Sequence, residues 1–201
     1  MKNLLTSLVA TTILAGPALA EDVKLGVLLG FTGPLESVAG DMAAGAELAI
    51  AEISDSGAFL DGSSVTSVRG DSTCIDAGAA TATAERMISS EEVNAIVGAT
   101  CSGASTAVLQ NVAMPKGVVM ISPSATSPAL SSIEDNGLFF RTAPSDARQG
   151  RVIAEMMIER GVERAALTYT NNDYGKGLSD SIAANFEELG GKITINSAHE
   201  D

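Results

Sequence analysis

Apolar residues along this chain recur in two alternating rhythms. Short runs rich in Val, Ile and Leu are bounded by Gly, Ser, Thr and Asp. They alternate with longer segments whose apolar positions return every three to four residues. "VKLGVLLG" (23–30) predicts a buried strand, and Met42, Ala46, Ala49, Ile50 and Ile53 then share one face of a helix. "SSVTSVRGD" (63–71) predicts a second strand and residues 76–90 a second helix. "NAIVG" (94–98), residues 103–113 and "GVVMIS" (117–122) follow as strand, helix and strand.

This alternation predicts an α/β fold, a parallel sheet flanked by helices on both faces. Right-handed crossovers put every strand's C-terminal end on one edge of such a sheet. Ligands of open α/β sheets bind at that edge. Three loops rich in small and hydroxyl residues, "GFTGP", "GATCSG" and "SPSATSP", fall just past strands 1, 3 and 4 and converge there.

A second series begins after "DNGLFFRTAPSD". "GRVIAEMMIER" predicts a helix, "RAALTYT" a strand, "YGKGLSDSIAANFEELG" a helix and "KITINSA" a strand. Two strands leave an open sheet edge, which folded proteins avoid. The expectation is therefore a first lobe over 21–141 and an incomplete second lobe over 142–201, in a fragment of a longer protein that by itself binds ligand weakly or not at all.

The first twenty residues, "MKNLLTSLVATTILAGPALA", read as a leader rather than as part of the fold. Lys2 precedes an apolar stretch from Leu4 to Leu14, a Gly16-Pro17 break and a small-x-small ending at Ala20. Export to the periplasm and cleavage after Ala20 are expected. The chain carries 25 acidic against 12 basic residues, a net charge of −13. That balance argues against nucleic acid or an anionic membrane as partner, since both need a basic surface.

Catalytic and cofactor motifs fail one by one. "YGKGLS" lacks P-loop spacing and "GVLLGFTG" lacks the dinucleotide fingerprint. The nucleophile-elbow pattern is absent, and the single histidine, His199, lies among the last three residues. No metal-ligand spacing surrounds Asp71 or Asp76. No enzyme activity, metal or cofactor is expected. Cys74 and Cys101 are the only cysteines, so in an exported chain just one bridge can form.

What remains is hydroxyl chemistry at helix starts. Ser102 falls at or near the N-cap of the third helix, where free N–H groups and the positive end of the dipole suit a carboxylate. Ser124 and Thr126, in a loop stiffened by two prolines, offer hydroxyl and carbonyl acceptors that suit an ammonium group. Adjacent anion and cation sites describe an α-amino acid, though each loop taken singly also reads as an ordinary cap or turn.

Six segments in order carry a resemblance: "GPLESVAGDMAAGAELAIAEI", "RGDSTC", "VGATCSGAST", "MISPSATSPAL", "FFRTAPSDARQG" and "NDYGKGLSDS". Over residues 22–201 the chain resembles the periplasmic solute-binding proteins of branched-chain amino acid ABC transporters. The resemblance implies the type I periplasmic-binding fold, two α/β lobes that close on ligand, and a Cys74–Cys101 disulfide. It implies a ligand set of Ser102, Ser124, Ala125, Thr126 and Tyr174. Ser102 holds the α-carboxylate, with Thr126 alongside. The Ser124 carbonyl and Thr126 hydroxyl take the ammonium, and Tyr174 approaches from the second lobe. In this pattern the acidic partner of the ammonium lies beyond Asp201. "LESVAG" puts small residues where the family often has an aromatic. The implied partners are a small amino acid, aliphatic by this likeness, and ABC permease subunits, with the binding protein a monomer. The same fold also serves sensing receptor domains and carriers of amides, urea or short carboxylates.

Overall fold

The computed structural model describes residues 22–200; the leader reading of residues 1–20 lies outside them. The first sheet is built from β1 (Val23–Leu29), β2 (Val65–Asp71), β3 (Ala95–Gly98), β4 (Val119–Ser122) and β5 (Phe139–Arg141). All neighbours run parallel, in the order β2-β1-β3-β4-β5. In β1, Val27, Leu28 and Leu29 are fully buried, as expected for a strand covered on both faces.

Helices α2 (Ala77–Ser89) and α3 (Ser102–Val108) cover one face. There Leu28, Met87, Ile96, Val108, Val112, Met120 and Phe139 belong to the larger core cluster. Asp76 caps α2 by accepting the Ala79 N–H at 2.9 Å. A π-helical turn at Leu109–Ala113 and a last turn, α4 (Met114–Lys116), carry α3 on to residue 116, beyond the 103–113 read from periodicity. Pro115 sits in that last turn, and Gly117 ends it in the left-handed region at φ +68°.

On the opposite face lies α1 (Glu36–Ser56), which packs on β1 and β2. Its buried stripe is Ala39, Ala43 and Ile50, with Met42 and Ala46 at its border. The face read from the sequence is therefore rotated: Ala49 and Ile53 are exposed rather than central. On this side Val119 and Ile121 of β4 and Phe140 of β5 are 40–52% exposed. Among the described residues, helices thus cover both faces over β1 and β2, but one face over β4 and β5. Strand β5 was not legible in the pattern, because three residues are too few for a period to show.

A second sheet pairs β6 (Arg164–Thr170) with β7 (Lys192–His199) in parallel. Helix α6 (Asp173–Glu188) packs on it, and α5 (Asp146–Glu159) packs on α6. The two helices touch where Gly150 meets Ser181; a Cβ there would fall 2.2 Å from the Ser181 Oγ. Helix α5 starts four residues earlier than its apolar period suggested, because Ser145 caps it through the Ala147 N–H. The two sheets meet through α6. A Cβ on Gly177 would fall 2.9 Å from both the Ser127 Oγ and the Pro128 Cδ.

Candidate functional site

Strand ends β1 to β4 all deliver their loops to one edge of the first sheet, and the second sheet's β6–α6 turn faces them. Between them lies a cleft of about 490 Å³. Its first-lobe wall includes Pro34, Leu35, Thr100, Ser102, Ser124 and Thr126, and its far wall includes Thr170, Asn172 and Tyr174. Asp146, the first residue of α5, lines the cleft where the chain crosses from one sheet to the other.

The turn after β3 depends on Gly98. Its φ is +148°, and a Cβ would lie 2.1 Å from the Leu28 carbonyl oxygen, so no larger residue fits. Beyond it, buried hydroxyls tie the loops together. The Gly30 N–H donates to Thr100 Oγ1 at 2.9 Å, and both Ser122 and Ser105 donate to the Ala99 carbonyl, at 2.6 and 3.1 Å. Ser124 donates to the Thr100 carbonyl at 2.7 Å. Such satisfied networks hold irregular backbone rigid in a buried setting.

Ser102 is the first residue of α3, one position past the cap residue Cys101. It is 2% exposed, and its Oγ accepts the Ser127 N–H at 3.1 Å. Accepting this bond leaves its own O–H to donate. The first-turn amides of a helix have no intrahelical partners, and the dipole adds positive potential. No Lys or Arg lines the cleft among the described residues. A carboxylate placed here would meet hydroxyl and backbone N–H groups.

Thr126 donates its proton to an Asp146 carboxylate oxygen at 2.7 Å, while the Asp146 N–H donates back to the Thr126 carbonyl at 2.9 Å. A threonine hydroxyl that has given its proton away can only accept, so Thr126 Oγ1 and Asp146 form a combined acceptor site. Burial pushes the Asp146 carboxyl above its ordinary value, while the Thr126 bond and the Arg141 charge pull the other way. Arg141 stiffens the loop by donating to the Ala125 and Ser127 carbonyls, at 3.2 and 2.9 Å, and to Ser131 Oγ.

The structure therefore brings Ser102, Ser124, Thr126 and Tyr174 to one cleft. Ala125 is not among them: its side chain lies in the first-lobe core and its carbonyl is held by Arg141. The Ser124 hydroxyl is likewise committed to Thr100. Tyr174 is 44% exposed on the far wall, near the start of α6, which Asn172 caps through the Gly175 N–H at 2.8 Å. Cys74 and Cys101 are joined in a disulfide, with Cα atoms 5.3 Å apart, at the mouth of the cleft. Asp146 is the residue that sequence reasoning missed. In the sequence it reads as a first-turn acid complementing a helix dipole. Its isolation was the available signal, since no other carboxylate lies between Asp135 and Glu155.

The chain is similar to known proteins over most of its length. The profile of the periplasmic binding protein family matches residues 22–200. The Leu/Ile/Val-binding protein of Citrobacter freundii is 30% identical over 195 residues, 96% of this chain and 52% of the relative. The leucine-, isoleucine-, valine-, threonine-, and alanine-binding protein of Pseudomonas aeruginosa is 31% identical, over 88% of this chain and 46% of its own. Among solved structures, a branched-chain amino acid transporter substrate binding protein from Streptococcus pneumoniae, in complex with isoleucine, superposes with a TM-score of 0.76. It is 27% identical and matches 90% of this chain against 50% of that one. The chain thus spans about half the length of the curated relatives it matches. Parallel sheets, hydroxyl-lined strand ends and a cleft between two lobes go together with a profile that runs the whole described length, and the chain belongs to the periplasmic binding protein family.

Proposed function

We propose that the full-length gene product captures a small aliphatic amino acid in this cleft and delivers it to an ABC permease. The observation that carries the reading is the pair of complementary sites side by side. The start of α3, with Ser102, suits the α-carboxylate. Thr126 Oγ1 and Asp146, with the Ser124 carbonyl, suit the ammonium. Asp146 adds a counter-charge of its own beside the acidic partner that the family pattern places beyond residue 201. The names of the relatives support the class of ligand.

On this reading residues 21–141 act as one lobe and residues 142–201 open the second. Ligand contacts to both walls favour the closed arrangement, a shift in population rather than a chemical step. Tyr174 approaches the ligand from the second lobe. The protein works in the periplasm as a monomer after loss of a leader ending at Ala20, and it turns nothing over.

Calorimetric titration of the full-length gene product tests the site. Hydrogen bonds to charged groups contribute about 1.5–3 kcal/mol, so Ser102→Ala and Thr126→Ala should each weaken binding by roughly tenfold to a hundredfold. Unchanged affinity in both variants would remove these residues from the site.

A further inference from the structure

At 70% exposure, Ile75 is the most exposed large apolar side chain among the described residues. It stands at the mouth of the cleft, and the backbone that presents it is costly. Thr73 and Cys74, neither of them glycine, both adopt left-handed conformations, with φ of +53° and +72°. Four bonds hold the loop in that shape. The Thr73 N–H donates to Asp71 at 2.9 Å, the Cys74 N–H to the Ser72 carbonyl at 2.6 Å, and the Asp76 N–H to Thr73 Oγ1 at 3.2 Å. The fourth is the disulfide to Cys101, adjacent to Ser102. The loop is thus fixed relative to the residue that holds the ligand carboxylate.

Ile75 also borders a second cavity of about 360 Å³, which shares Cys74, Ile75, Gly103 and Asn172 with the cleft. That chamber is polar at its far side, with Asn171, Asp173 and Glu200. Pro34 and Leu35 line the same cleft from the neighbouring loop after β1. We infer that Ile75 determines which side chains the cleft accepts: together with Leu35 it contacts an aliphatic side chain, and it closes off the polar chamber. This rests on the amino-acid reading above, and it supplies an apolar contact where "LESVAG" lacks the aromatic that the family often has.

Titrating leucine, alanine and methionine into the full-length gene product and its Ile75 variants tests the assignment. An apolar contact of a few carbons discriminates by roughly tenfold or more. Ile75→Ala should weaken leucine about tenfold while leaving alanine within about twofold, and should improve methionine relative to leucine. Ile75→Val, a milder change, should move leucine the same way by about two- to fivefold. Because Ile75 lies outside the core, melting temperatures should not change. A leucine-to-alanine ratio equal to wild type in both variants overturns the role of Ile75 and leaves the amino-acid reading standing. Failure of the wild-type protein to bind any of the three overturns the reading itself.

Discussion

Thr126 donates its proton to the Asp146 carboxylate, and the partial burial of that carboxylate makes the cleft sensitive to acid. Desolvation has raised the Asp146 carboxyl, so in the free protein it takes up a proton at a higher pH than an exposed aspartate. A ligand ammonium favours the ionised form and draws the value down again. Binding should therefore release a proton near the raised value, and affinity should fall as pH drops through it. Titrations in buffers of different ionisation enthalpy measure that proton, and Asp146→Asn should abolish its release and bind more weakly. For stability the sign is opposite. A raised carboxyl holds its proton longer folded than unfolded, so its contribution fades as pH rises through the folded value. Ser102 and Thr126 were legible as positions at the cleft, because a helix start and a proline-stiffened loop just past strand ends fall at the edge of a parallel sheet whatever the packing. Asp146 was not, since its burial depends on a crossing segment brought against the "SPSAT" loop from 20 residues away.

Among the elements, the turn after β3 has the least freedom. Gly98→Ala would drive a methyl group into the Leu28 carbonyl, and overpacking of this kind costs about 1–3 kcal/mol or more. Thermal or chemical unfolding should register the loss, and a Gly98→Ala variant as stable as wild type would contradict the close approach. The disulfide closes a separation of 27 residues, for which chain entropy predicts about 3–4 kcal/mol. The Cys74→Ser, Cys101→Ser double variant should lose roughly that much and bind ligand less tightly, as Ile75 and Ser102 loosen together. Strands β1 to β4 were readable from their β-branched runs and the turns between them. The orientation of α1 was not. Several of its apolar residues, Met42, Ala49 and Ile53, lie toward one flank, and only packing against β1 and β2 selects the Ala39–Ala43–Ile50 stripe. Periodicity finds a helix more surely than it finds which side faces inward.

At the scale of the molecule, function follows from two sheets whose loops face each other across about 490 Å³. The contact of Gly177 with Ser127 and Pro128 lets α6 sit close to the first lobe, which keeps Tyr174 within the cleft. The alternation of strands and helices made the architecture legible, together with the edge where a ligand belongs. The extent of cover did not follow from it, because which residues of β4 and β5 meet a helix depends on packing across the whole sheet. The central claim is that carboxylate and ammonium are recognised together, between Ser102 and the Thr126–Asp146 pair. The most direct test is a calorimetric comparison, on the full-length gene product, of leucine with the same molecule lacking its amino group, 4-methylpentanoate. A hydrogen-bonded site left unpaired rejects such an analogue strongly, so leucine should bind with 1:1 stoichiometry and at least about a hundredfold more tightly. Equal affinity for the two, or binding of neither, would contradict the account.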